Sequence, residues 1–426
     1  MRRVMTLIAV SVLGVALVVA AGALLAPSGD PAPARPAAAR GTDPITAAQH
    51  RLQRLPRDWT TWAELGMAYV QRARSTGNPA DYPLAEQSLD RSLEIRPDRN
   101  AAALTGMGAL AAARHDFPAA LRHGRAAIAV DPYQAAAIGV VADALTELGR
   151  YREAFEAIQR MVDLRPDTAA YARASYSWEL RGDPGRATGA MRRALDAASA
   201  TPDILFARYH LGELAFGTGD LAAAAAEFEQ GLRLAPENAP LRVGRARVHA
   251  ARGDTATAVS EYRAVVAADP SPAYATELGD LLSALGQDTA AAEQYTLAEA
   301  GWATQRGGGV PPEPDAVLFA ADHGDRAALG RARQLYAARP SIAAADALAW
   351  ALRAAGRPAE ALRRADEALR LGSRDALLHY HRGMILADLG RDEPARAALT
   401  TALRLNPHFS VRHVPLAKAA LTSGRR

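Results

Sequence analysis

Glycine, alanine and proline recur along this chain at one spacing, which limits the possible fold more than any other feature of the sequence. Glycines that end an apolar stretch stand at Gly149, Gly182, Gly219, Gly253, Gly286, Gly356 and Gly390. An alanine follows each, at Ala154, Ala187, Ala224, Ala258, Ala291, Ala361 and Ala395, and prolines fall at Pro97, Pro132, Pro166, Pro236, Pro270 and Pro407. Pro132 and Pro166, Pro236 and Pro270, and Gly219 and Gly253 are each 34 residues apart, and the other intervals cluster near that value or its double. A fixed period of this length marks copies of one small unit that cannot bury its apolar face alone and must stack on its neighbours. Reading the 426 residues as about three globular domains is therefore the wrong use of the length.

The recurring residues act locally. A glycine where a first helix stops takes the left-handed cap conformation at no steric cost. A proline at the end of the unit stops the second helix and sets the turn to the next. Small residues such as Gly66 and Ala154 let two antiparallel helices approach closely, where a larger side chain would cost about 1–3 kcal/mol of overpacking. Between them, Val141, Leu145, Ile158, Met161 and Leu164 repeat at helical spacing and form a buried seam. Composition agrees: the chain is 49% hydrophobic but only 6% aromatic, and about a quarter of it is alanine, which favours helices in close contact.

In the order Leu211, Gly212, Ala224, Phe228 and Pro236, the unit resembles the tetratricopeptide repeat, over nearly all of residues 45–410. Trp62, Leu65, Gly66 and Tyr69 match the family's opening signature; Ala85, Leu89, Ser92 and Pro97 complete that unit, and Met107, Gly108, Ala120, Ala127 and Pro132 make the next. Arg382 stands where an apolar residue is expected, which leaves the last register open to a shift of one. The resemblance implies an all-α fold, a right-handed α-solenoid of about ten helix-turn-helix units, following an N-terminal transmembrane or signal helix.

The units are expected at 58–98, 99–133, 134–167, 168–203, 204–237, 238–270, 271–300, 315–340, 341–374 and 375–409, with a closing helix to Leu421. Three irregularities are expected as well. The first unit has an extra loop from Arg74 to Pro83, and the fourth has an overlong second helix reaching Ser199. Gly301 to Pro314 reads as a hinge loop dividing an array over 45–300 from a second over 315–426.

Ahead of the array, Arg2 and Arg3 precede an uncharged apolar run from Val4 to Ala26. About 23 residues are enough to cross a bilayer as a helix, so 1–26 reads as a retained anchor or a cleaved signal peptide, and 27–44 as a Pro/Ala-rich linker. The positive-inside rule then places the body outside the cytoplasm: either a single-pass protein of the cell membrane or, after cleavage, a secreted one. It reads as a bacterial, membrane-anchored or secreted member of the family. With no cysteine in the chain, disulfides, thiolate metal sites and thiol catalysis are excluded.

Chemistry-bearing motifs are missing too: there is no GxxxxGK, HExxH or GxSxG. His379 and His381 point apart on a helix, and His408 and His413, flanking a helix start, read as solvent-facing side chains rather than ligands. Asp220 and Asp254, just after turn glycines, read as helix caps. Arg242, Arg245, Arg247 and Arg252 read as solvated helix faces with ordinary salt bridges rather than an anion site. The net charge of +4 is a thin excess of 50 basic over 46 acidic residues, with no basic stripe for nucleic acid. No enzymatic activity, cofactor, metal, nucleic acid or small-molecule substrate is expected.

A binding face is expected instead. The resemblance implies that the first helix of each unit lines a concave groove, and the family's groove positions fall on Asp143, Glu147, Tyr176, Glu179, Phe206, Tyr209, Glu213 and Phe216. They continue through Arg247 and Asp280 to Asp346, Trp350, Arg353 and Tyr380. Carboxylates interleaved with aromatics suit an extended, partly basic peptide or a helix from another envelope protein; the plainer reading is that these aromatics pack between helices. The expected role is a non-enzymatic protein–protein interaction scaffold. The alternative is a structural or assembly factor for an envelope complex, of the cytochrome-maturation kind, acting by self-association or chaperoning.

Overall fold

A computed structural model describes residues 43–76, 78–307 and 311–423. The apolar run 4–26 and nearly all of the linker lie outside these residues. Among the described residues the chain forms twenty-two α-helices and no strand, and no helix is long and apolar enough to cross a membrane.

A leading helix, α1 (Pro44–Arg54), is followed by ten antiparallel hairpins. The first five are α2 (Trp59–Thr76) with α3 (Asp81–Ile95), α4 (Ala101–Ala113) with α5 (Phe117–Val130), α6 (Ala135–Glu147) with α7 (Tyr151–Leu164), α8 (Thr168–Leu180) with α9 (Pro184–Ala197), and α10 (Thr201–Gly217) with α11 (Leu221–Leu234). Then come α12 (Ala239–Ala251) with α13 (Thr255–Ala268), α14 (Pro272–Ala284) with α15 (Asp288–Gly307), α16 (Pro314–Asp322) with α17 (Ala328–Ala338), α18 (Ile342–Ala354) with α19 (Pro358–Ala368), and α20 (Ala376–Asp388) with α21 (Asp392–Leu405). α22 (His413–Ser423) closes the array.

The hairpins form for the reasons their sequence suggests. All seven periodic glycines have positive φ, from +67° at Gly390 to +84° at Gly253. The aspartates that follow them are caps: Asp220 accepts from the Ala223 amide at 3.0 Å and Asp254 from that of Thr257 at 3.3 Å. Packing explains the small positions. Phe228 is fully buried, and a Cβ added to either Gly212 or Gly244 would run into its ring, so one aromatic fills the space left by two glycines on neighbouring first helices. In the last unit Gly383 meets Leu399 in the same way. The register is therefore unshifted, and Arg382 turns its guanidinium to Asp366 at 2.7 Å.

Four expectations need correction. The loop expected from Arg74 to Pro83 is shorter, because α2 continues to Thr76 and α3 starts at Asp81. The fourth unit's second helix stops at Ala197, and the extra length lies in α10, which opens with Thr201-Pro202 and runs for 17 residues. Pro44 starts α1 rather than ending a linker, with Asp43 capping it. Finally, Gly301 to Gly307 belongs to the 20-residue helix α15. Trp302, 3% exposed, packs there with Ala273, Ala298, Ala316 and Phe319. That cluster joins the seventh hairpin to the eighth, where a hinge would leave apolar surface uncovered.

The array also returns on itself. Tyr151 Oη accepts from the Ile342 amide at 2.7 Å across 191 residues of sequence, and Asn406 Nδ2 donates to the Phe216 carbonyl at 2.9 Å across 190. The turns within the third and fourth hairpins lie so close to those after the eighth and ninth that a Cβ on Gly149 would strike the Pro340 carbonyl, and one on Gly182 that of Gly372. Gly219 faces the Pro407 ring more loosely, a Cβ there lying 3.3 Å from it.

Candidate binding surface on the inner wall

First helices touch one another along the array (α2 with α4, α4 with α6, α10 with α12, α16 with α18, α18 with α20). They form the inner wall, which is where stacked hairpins present a binding surface. The candidate residues on it divide into three groups.

The first group is neutralised from within the chain. Asp143 holds Arg173 in a bidentate pair at 2.8 and 2.6 Å. Arg247, which is well buried, bridges Glu213 at 2.6 Å and Glu277 at 2.8 Å. Its neighbours are paired too, Arg245 with Glu261 and Arg242 with Glu237 at 2.8 Å. Arg353 lies on Asp388 at 2.8 Å and over the Trp350 ring. Asp280 accepts from Tyr295 Oη at 2.8 Å, with Arg412 3.5 Å away.

The second group is core. Trp350 is buried, its Nε1 donating to Asp322 at 2.8 Å and its ring stacked on His381. His381 is buried in turn with Nδ1 2.9 Å from Asp346, and Tyr380 is buried beside it. His413, expected at the surface, is also buried, 3.3 Å from Asp322. Burial pushes Asp322 upward, but hydrogen bonds from His413 and Trp350 outweigh it and hold the carboxyl at about 2. Phe206, Tyr209 and Phe216 are half-buried against the cores of the fourth and fifth hairpins. Tyr176 packs across the return contact, onto the cluster of Tyr151, Leu180, Ile342 and Leu378.

The third group is a set of crowded carboxylates. Glu179 is exposed, and its side chain makes no hydrogen bond or ion pair among the described residues. The protein around it, together with Asp375 and Glu213, pushes its carboxyl up to about 7. Burial does the same to Glu147, which also reaches about 7 although Arg339 lies 3.6 Å away. Asp315, which sequence reading missed, is pushed up to about 7 by burial and by Glu313 and Glu277. Asp375, missed as well, caps α20 and is raised chiefly by burial. Four acids thus share a region where the cations nearby, Arg247 and Arg339, are already engaged, which leaves the inner wall short of positive charge.

Models of the tetratricopeptide repeat match residues 215–285 and, in a second form, residues 171–239 and 347–408. Residues 171–285 and 347–408 are thus matched as tetratricopeptide repeats. No curated protein matches it. Among solved structures, it is similar to a thermophilic TPR protein of Thermus thermophilus, at 21% identity over 40% of this chain and 91% of that one, with a TM-score of 0.36. It is similar also to a chain of the APC/C hetero-tetramer Cut9–Hcn1, at 14% identity over 90% and 92% with a TM-score of 0.37. Yeast Tom70 matches at 14% over 89% and 92%, with a TM-score of 0.36.

Two features of the array had no periodic signal. Arg339 sits between units, yet reaches Glu313 at 2.5 Å, the Pro312 carbonyl at 3.2 Å and Glu147. His115 occupies the left-handed cap of the second hairpin at φ 60°, where the third to tenth hairpins use glycine, and lies 3.3 Å from Glu313. A residue other than glycine in that conformation is the one clue the sequence held, since the missing glycine leaves the second unit out of step with the rest.

Proposed function

We propose that this protein is a non-enzymatic protein–protein interaction scaffold whose inner wall takes a basic, extended segment of a partner protein. The proposal includes its location: Arg2, Arg3 and the apolar run 4–26 would hold the array on the outer side of the cytoplasmic membrane, or export it if the run is cleaved. The observation that carries the binding reading is Glu179, an exposed carboxylate without a partner, flanked by Asp375 and Glu213 and pushed up to about 7. A lysine or arginine seated there would relieve repulsion that the fold leaves uncompensated.

Fluorescence anisotropy with a labelled Lys/Arg-rich peptide, against an acidic peptide of equal length, tests it. Binding of the basic peptide alone, lost in Glu179→Lys, is expected. Equal binding by Glu179→Lys would remove the inner wall from consideration. Glu213→Lys is the weaker probe, because Glu213 already serves Arg247.

A further inference from the structure

Solenoids are held together by contacts between neighbouring units, so contacts that bridge five hairpins require their own explanation. Here they are of one kind. Turns at the ends of α6, α8 and α10 meet turns that follow the eighth, ninth and tenth hairpins. Tyr151 bonds the Ile342 amide, Arg370 Nη2 donates to the Gly149 carbonyl at 3.2 Å, and Asn406 bonds the Phe216 carbonyl. The apolar part is small: Tyr151 and Leu180 against Ile342, Ala345, Ala368 and Leu378. Hairpins within the array pack along whole helices, whereas these contacts are made by turns and helix ends, so they form the seam that opens at least cost.

The seam also lies beside the acids. Glu147 and Glu179 are within three residues of Gly149 and Gly182. Across the seam, Arg339 faces Glu147 and Asp375 adds its repulsion to Glu179. A segment lying along α6 and α8 would therefore have to pass the last three hairpins to arrive.

We infer that the last three hairpins are a clasp, closing the array against its third to fifth hairpins by flexing of the stacked units, with the Trp302 cluster between the seventh and eighth left intact, and gating access to the inner wall. The inference rests on the reading of that wall as the binding surface, and deepens it by assigning its regulation. Closed, the clasp leaves Glu179 open to solvent but stands beside it through Asp375; open, it admits the basic segment along α6 and α8.

The absence of cysteine from the chain makes the test clean. Arg186→Cys and Arg374→Cys place exposed thiols on either side of the Gly182–Gly372 contact, and a short reducible bismaleimide locks them together in the full chain. Association of the labelled Lys/Arg-rich peptide is then followed by stopped flow before locking, after locking and after reduction. Locking should slow association at least tenfold, and reduction should restore it. A second variant, Tyr151→Phe with Arg370→Ala, removes two bonds of the seam and should speed association by about thirtyfold, each bond being worth about 1 kcal/mol. If the locked protein binds as fast as the reduced one, the clasp is refuted and the binding surface stands. If the reduced protein fails to bind the basic peptide at all, the surface is refuted and the gating role goes with it.

Discussion

Arg339→Met is the perturbation that most sharply probes how this array is held. Arg339 is 6% exposed and is the cation nearest two carboxylates, Glu313 at 2.5 Å and Glu147 at 3.6 Å, while its guanidinium also donates to the Pro312 carbonyl. Methionine keeps most of the stem's volume and removes the charge, so the loss is electrostatic. Stripping one partner from a buried pair costs about 3–5 kcal/mol. The lower end applies here, since Glu147 and Glu313 keep some contact with solvent. The cost should depend on pH with a definite sign. Glu147 already titrates at about 7 with Arg339 in place, and without that cation its carboxyl moves higher still. In acid it takes a proton and needs no counter-charge. Urea unfolding followed by tryptophan fluorescence, with Trp302 and Trp350 as buried reporters, should give a deficit of about 3 kcal/mol at pH 8 that shrinks to about 1 kcal/mol at pH 5. Adding Glu147→Gln should recover part of the loss at pH 8. A deficit that is the same at both pH values, or under about 0.5 kcal/mol at pH 8, would refute the reasoning.

Other expectations can be checked in the same way. Glu147, Glu179 and Asp315 have folded values near 7, above their unfolded ones, so the native state binds protons more tightly than the unfolded chain. Stability is then greatest below about pH 5 and falls as pH rises through 7, and the thermal midpoint should decline across that window; a midpoint that rises would contradict it. Gly212→Ala drives a methyl into the Phe228 ring and should cost about 1–3 kcal/mol. Gly185→Ala, where the nearest heavy atom is 3.6 Å away, should stay within about 0.5 kcal/mol; calorimetry of the two separates overpacking from a general intolerance of alanine. Asp346→Leu leaves the buried His381 Nδ1 without its hydrogen-bond partner and should cost about 1–3 kcal/mol, read from the urea midpoint.

The hairpins were legible because each is specified within its own 34 residues: Gly219 stops α10, Asp220 caps α11 and Phe228 fills the space beside Gly212. The return contact was not. Tyr151 and Ile342 meet because of the superhelix as a whole, and nothing local to either marks the other. The same limit affected the binding residues. Position in the repeat specifies only a side of the helix, and Trp350 became core because Asp322, His381 and His413 close around it. Asp315 and Asp375 lie outside the family's groove positions, brought beside the inner wall by the turns before α16 and α20. The hinge misread at 301–314 has a simple cause. Glycine and proline are abundant there, yet Trp302 pins the first half of the stretch into α15 by burying its ring.

Proton release on binding tests the central claim most directly. Calorimetric titration of the Lys/Arg-rich peptide at pH 7, in two buffers of different ionisation enthalpy, reports how many protons leave as the complex forms. A cation seated among carboxylates that titrate near 7 must drive protons off them, so the account predicts net release, reduced in Glu179→Gln. Binding with no proton exchange, or with release unaltered by that substitution, would show that the partner sits elsewhere.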